Sequence, residues 1–220
     1  IKEVFSDIIV EAPLGSRTKL TLPDGTLVWL NAGSRITYSQ GFGVGNRKIE
    51  LIGEGYFEVK RNEEVPFLVK TNSLLVKVLG TKFNFRDYPD DAEAIVSLSE
   101  GKVALNNLLK KEKEAFLLPN ERVVLNKKNG RMHVEYSTVS NALQWTNGYL
   151  FFDEELLPDV VKELERSYNV KIQIASDTLN TFRFYGNFVH REQNIQEVLE
   201  ALSATRKIHY IIEGHNITLY

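Results

Sequence analysis

The sequence predicts a mainly β protein with a smaller α+β part. It reads as an N-terminal all-β double-sheet domain, sandwich or solenoid-like, followed by a small domain built from a βαβ repeat. Three observations predict it. From Leu14 to about Val134, short runs of alternating apolar and polar residues are broken by turn residues roughly every 8–12 positions, the spacing of antiparallel β architectures. From Leu157 the apolar period lengthens to that of a helix. Finally, the apolar positions of 157–174 recur, shifted by 38, at 195–212.

The totals set the outer bounds. A chain of 220 residues, 43% hydrophobic and 25% charged, suits one large or two ordinary globular domains. A net charge of −2 argues against nucleic acid as a partner, because phosphate binding needs a clustered positive field. No apolar run approaches the ~20 residues of a membrane-spanning helix. There is no cysteine, hence no disulfide frame and no thiolate chemistry. The sequence opens on Ile1 without a signal-peptide pattern, which reads as a processed product or a piece of a longer chain.

Residues 1–13 alternate weakly through Val4, Phe5, Ile8 and Val10 and read as a leading strand or linker. The β domain spans 14–135. Its first hairpin is the clearest: Pro23 presets φ, Asp24 can bond its own backbone and Gly25 tolerates positive φ, between strands Lys19–Leu22 and Thr26–Leu30. Further strands are expected at Arg35–Tyr38, Arg47–Leu51, Gly55–Lys60, Phe67–Thr71, Leu74–Leu79, Thr81–Arg86 and Ala94–Ser99. The series ends with Lys102–Asn106, Ala115–Leu118, Glu121–Leu125 and Met132–Glu135. The glycine-rich run Gly41–Gly45 feeds a strand rather than a helix, so it reads as a hairpin loop and not a phosphate cradle. The mixed charges of Lys110–Glu114 read as a solvated turn.

Residues 136–147 form a polar connector with a helical turn near Leu143–Trp145, and 148–220 form the second domain. Leu157, Val160, Val161, Leu164 and Tyr168 lie on one face of a helix with Pro158 in its first turn. Ile195, Val198, Leu199 and Leu202 repeat that face behind Asn194 and Glu197, a capping-box pair. Strands are expected at Tyr149–Phe152, Val170–Ala175, Thr181–Phe188, Lys207–Ile212 and Asn216–Tyr220, the last two joined by a turn at Glu213-Gly214. The repeat implies two βαβ halves packing two helices on one sheet.

Chemistry is sparse. His133, His190, His209 and His215 lack metal-ligand spacing, no nucleophile elbow is present, and neither a metal nor another cofactor is expected. Glu54/Glu58 and Asp90/Asp91 could form an acid pair for glycoside hydrolysis, and Phe182, Phe184 and Phe188 could line a sugar platform. Solvated carboxylates and core packing explain both more simply. At Gly80-Thr81 a threonine hydroxyl could attack the preceding carbonyl and cut the backbone through an ester, if strain favoured the shift. Otherwise Gly80 allows a bulge or close packing and Thr81 is an ordinary strand residue.

Gly15-x-Arg17-x-x-Leu20-x-Leu22-Pro23-Asp24-Gly25-Thr26-x-Val28-x-Leu30-Asn31-x-x-Ser34-x-Ile36-x-Tyr38 resembles the signature of the periplasmic domain of FecR-type anti-sigma regulators. So do Leu51-x-Gly53-Glu54-Gly55-Tyr56-Phe57-Glu58-Val59 and Pro66-Phe67-x-Val69. Val76-x-Val78-Leu79-Gly80-Thr81-x-Phe83-Asn84 and Gly101-x-Val103 follow in the family's order. The 148–220 part resembles the short N-terminal domain of secretins and TonB-dependent transporters, which closes FecR-type proteins of Bacteroidetes. Gly148-Tyr149-Leu150-x-Phe152, Tyr168-Asn169-Val170-Lys171-Ile172 and Phe184-x-Gly186-x-Phe188 carry that likeness.

The resemblance implies a periplasmic domain of an inner-membrane protein. Its partner would be the periplasmic signalling domain of an outer-membrane TonB-dependent transporter. An extracytoplasmic-function sigma factor and the membrane would be reached only through N-terminal segments that this sequence lacks. Some relatives cleave themselves at a Gly-Thr bond, which makes Gly80 and Thr81 the candidate scissile pair. Strand addition to an exposed sheet edge would suit docking, with Asn216, Ile217, Thr218, Leu219 and Tyr220 of the terminal strand as the candidate edge and a helix face as the alternative. Asn120, in Leu118-Pro119-Asn120-Glu121, stands where many relatives carry glycine. The rival from another class is a carbohydrate-binding or glycan-processing β-domain with an accessory module. A secretion-channel subunit is the third, since only the last third of the chain resembles one.

Overall fold

The computed structural model describes residues 6–220, so Val4 and Phe5 of the predicted leading strand lie outside the described residues. The chain divides into two compact units, one of residues up to Pro13 with Arg17–Leu143, the other of Leu14–Ser16 with Gln144–Tyr220.

Among the described residues the first unit is a two-sheet β structure of thirteen strands. In chain order they are β1 (Asp7–Ala12), β2 (Thr18–Thr21), β3 (Leu27–Leu30), β4 (Ser34–Ser39), β5 (Arg47–Glu58), β6 (Phe67–Lys70) and β7 (Leu74–Val78). β8 (Lys82–Asp87), β9 (Glu93–Glu100), β10 (Val103–Asn107), β11 (Ala115–Leu117), β12 (Glu121–Asn126) and β13 (Met132–Tyr136) complete the set. One sheet runs β1-β4-β5-β6-β7-β10-β11 and the other β2-β3-β5-β8-β9-β12-β13. A single core fills the space, with Ile36, Ile49, Phe67, Val76 and Leu105 from the first sheet and Val28, Phe57, Phe83, Val96 and Leu125 from the second. Phe57 stacks on Phe83 at 5.1 Å and meets Phe67 across the core at 6.3 Å.

The strand β5 belongs to both sheets. The sequence predicts two strands, Arg47–Leu51 and Gly55–Lys60; the structure joins them into one. Ile49–Ile52 pair with β4 and Arg47–Glu50 with β6, whereas Gly53–Glu58 pair with β8 and Leu27–Leu30 pair with Gly55–Glu58. The change of sheet falls at Gly53, whose φ of 96° is open to glycine alone at low cost. A shared bent strand makes this unit a sandwich joined at a corner rather than a solenoid.

A short helix α1 (Val139–Ala142) ends the first unit, and the main segment of the second opens on a 3-10 turn at Gln144–Asn147 that buries Trp145. It contains β14 (Tyr149–Leu156), α2 (Leu157–Tyr168), β15 (Lys171–Ile174), a 3-10 turn (Asp177–Thr181), β16 (Arg183–Val189), α3 (Ile195–Ser203), β17 (Tyr210–Glu213) and β18 (Asn216–Leu219). The predicted helix starts hold: Pro158 lies in the first turn of α2, and Asn194 with Glu197 completes a capping box on α3. Asn169 closes α2 in the left-handed conformation at φ 52°. Val160, Leu164, Val198, Leu199 and Leu202 pack with Phe152, Phe184, Phe188, Ile217 and Leu219.

The expected single sheet is instead two. Among the described residues β14 pairs with β16 alone, and a separate sheet runs β15-β18-β17. The physical reason is β18, a strand outside the repeat, which takes a parallel partner in β15 and an antiparallel one in β17.

Candidate functional site

Signature residues far apart in sequence meet in the first unit. Arg17 Nε donates to Asn31 Oδ1 at 3.0 Å, and Asn31 Nδ2 donates to Glu54 Oε2 at 2.9 Å. Asn84 Nδ2 donates to the other oxygen of Glu54 at 2.8 Å. Ser34 Oγ accepts the Glu54 N–H at 2.8 Å and lies 3.2 Å from the Tyr88 hydroxyl. Asn31, Ser34, Glu54 and Asn84 are buried, so these bonds replace the water such groups would otherwise need. A second cluster centres on the buried Arg47, which donates to Asp24 Oδ2 at 3.1 Å and to the carbonyls of Lys60, Asn62 and Val65 at 2.7, 3.1 and 2.8 Å. Asp24 in turn accepts from the Thr26 N–H and hydroxyl, both at 2.9 Å.

These contacts assign the motif residues to scaffolding. Both oxygens of Glu54 accept amide hydrogens, and Asp91 accepts from Arg86 Nε at 2.8 Å, so neither is poised as a general acid. Tyr56 donates to Glu58 at 3.3 Å; burial first, then the Glu58 carboxylate, holds its phenol well above the ordinary value, so it stays neutral. Phe184 and Phe188, offered as a sugar platform, lie buried in the core, and Phe182 packs against it. Strand alternation put the first two inside. Asn120 adopts φ 67°, the left-handed conformation that glycine takes most freely and asparagine tolerates.

Gly80-Thr81 lies in the connection between β7 and β8. A Cβ on Gly80 would stand 2.8 Å from Arg61 Cα, so glycine is required by close packing alone. Thr81 is buried, its hydroxyl donating to the Lys102 carbonyl at 3.1 Å and its carbonyl accepting from the Val59 N–H at 3.0 Å. Both residues thus have a structural account. We expect the purified chain to show one intact mass under denaturing conditions. Two fragments, 1–80 and 81–220, would instead establish cleavage at this bond.

In the second unit the structure corrects the predicted docking edge. Asn216, Ile217, Thr218 and Leu219 form β18, the middle strand, hydrogen-bonded on both sides, and Ile217 and Leu219 are buried. Tyr220 pairs with His209 through reciprocal backbone bonds of 2.9 and 3.0 Å. The sequence placed an edge there because β18 ends the chain, but spatial order in a sheet need not follow chain order. The flanks of this sheet are β15 and β17. β17 alternates with β18 so that His209, Ile211 and Glu213 bond inward, which turns the backbone N–H and C=O of Tyr210 and Ile212 outward. Beside this edge Ile211, Ile212 and Tyr220 are 50%, 40% and 49% exposed. The sequence held one signal for it: the repeat pairs Gln173 with Ile211, an apolar residue where the first copy is polar.

The comparisons with known proteins agree with this architecture. The family model described as FecR protein matches residues 9–104, and that described as FecR, C-terminal matches residues 149–219. A 1.65 Å crystal structure of a candidate anti-sigma factor from Parabacteroides distasonis superposes with a TM-score of 0.88. It is 33% identical, over 97% of this chain and 98% of that chain. A 2.50 Å structure of a candidate anti-sigma factor from the same organism gives 0.89 at 33% identity, over 98% and 99%. No curated protein matches.

Proposed function

This chain belongs to the FecR family of anti-sigma factors, and on that premise we propose that it is the periplasmic portion of a regulator carrying a signal between two membranes. An outer-membrane TonB-dependent transporter loaded with its nutrient presents a periplasmic signalling domain, which the second unit receives. A membrane helix and a cytoplasmic segment outside this sequence then act on an extracytoplasmic-function sigma factor. Among the described residues no helix is long and apolar enough to cross a membrane. The observation that carries the reading is the tandem match of both family models in order, on a chain similar over 97% of its length to an anti-sigma candidate.

The role is one of binding, and the buried motif residues support it: they bond to one another rather than converging on a substrate cleft. Calorimetry with the signalling domain of the transporter encoded beside this protein tests the reading. Binding at micromolar strength or tighter is expected, and loss of all binding when 148–220 is deleted. Binding that survives the deletion would move the docking site to the β unit; no binding by the intact chain would refute the relay.

A further inference from the structure

The second unit contains its own control for judging which sheet edge is meant to be covered, because its two halves are copies offset by 38 residues. β15 and β17 occupy equivalent places in the repeat, and both flank β18. In the first copy the edge is closed. Glu165 of α2 reaches across and its Oε1 accepts the outward Ile172 N–H at 2.9 Å. The 3-10 turn Asp177–Thr181 then folds against β15, leaving Ile174 only half exposed.

The second copy lacks both devices. The shift of 38 carries Glu165 to Ser203 and Ile172 to Tyr210, and serine is too short to repeat the bond. Ser203 Oγ is buried and, among the described residues, has no hydrogen-bond partner. The chain after β17 turns at once into the hairpin to β18, so no 3-10 turn covers Ile212. Edge strands normally carry a charge, a proline or a cover, since bare N–H and C=O groups recruit other strands. Here the charges stand only at the ends, Lys207 before β17 and Glu213 at its close, and between them Ile211 and Ile212 are exposed.

We infer that the β17 edge is the receiving strand for an extended segment of the partner's signalling domain, added antiparallel beside Tyr210–Glu213; this rests on the transporter reading above. The partner strand would accept the N–H groups of Tyr210 and Ile212 and donate to their carbonyls. Its side chains opposite Tyr210 and Ile212 extend the buried face of the sheet, and the one opposite Ile211 packs beside Ile211 on the other face, so all three are apolar. In that antiparallel register charge orders the partner's ends: β17 is preceded by Arg206 and Lys207 and ends on Glu213, so the added strand carries its basic end first and its acidic end last.

The experiment is calorimetry of the full chain against that signalling domain with two variants. Ser203→Glu supplies the cap that the first copy has, and Ile212→Pro removes one outward N–H that bonds nothing inside the sheet. Each is expected to weaken binding at least tenfold with the melting temperature retained, and hydrogen exchange at Tyr210 and Ile212 should slow only in the wild-type complex. Should Ile212→Pro unfold, Ser203→Glu decides alone, since it adds a bond rather than removing one. Wild-type affinity in the folded variants overturns the edge assignment even where deletion of 148–220 abolishes binding. A wild-type chain that binds nothing defeats the transporter reading, and this inference with it.

Discussion

Replacing Gly53 by alanine is expected to destabilise the β unit by about 3 kcal/mol or more, read as a drop in the urea midpoint at unchanged slope. Two costs combine. At φ 96° an L-residue meets its own carbonyl, roughly 1–2 kcal/mol. The new Cβ would also stand 2.4 Å from Ser34 Oγ and 2.9 Å from Ser34 Cα, an overlap that only backbone movement relieves, at about 1–3 kcal/mol. Ser34 cannot swing aside cheaply, because its hydroxyl accepts the Glu54 N–H. Gly25→Ala separates the two costs: Gly25 has φ 85° with nothing within 4 Å, so it should lose only the conformational part, about 1 kcal/mol. Equal losses at the two positions would show that the Ser34 contact carries no weight and that β5 bends without it.

Arg47→Met is expected to cost about 3–5 kcal/mol, the range for removing one partner of a buried ion pair. Methionine keeps much of the side-chain bulk over Phe67, whose ring lies 5.7 Å from the guanidinium. It leaves the buried Asp24 without its cation and the carbonyls of Lys60, Asn62 and Val65 without their donor. Arg47→Lys should recover only a fraction, because one ammonium cannot reach four acceptors spread around a planar fork. The loop 60–66 should then exchange its amides faster than the strands on either side. A loss below about 1 kcal/mol would mean that water reaches those carbonyls once the arginine is gone.

Much of the fold was legible in the sequence because its signals are local. Alternation placed Leu20 against Lys19 and Phe184 against Arg183, and that pattern reports which face a residue takes whatever strand lies beside it. Spacing of 3.6 and the caps at Pro158 and Asn194 marked both helices. The 38-residue repeat announced two equivalent halves, and the ordered motif blocks announced the family. Arg47 read as the ordinary start of a strand, since nothing within a few residues reveals the acceptors at Asp24, Lys60, Asn62 and Val65.

What only the tertiary structure decided was partnership. Alternation cannot tell that Arg47–Leu51 and Gly55–Glu58 are one strand serving two sheets, because the join at Gly53 breaks the pattern it depends on. Nor could it tell that the last strand inserts between β15 and β17, turning the expected edge into the centre and leaving Tyr210–Glu213 outside. Pairing is settled by hydrogen bonds and burial between residues tens of positions apart, and the energies that select one order of strands belong to the assembled sheet rather than to any single segment of the chain.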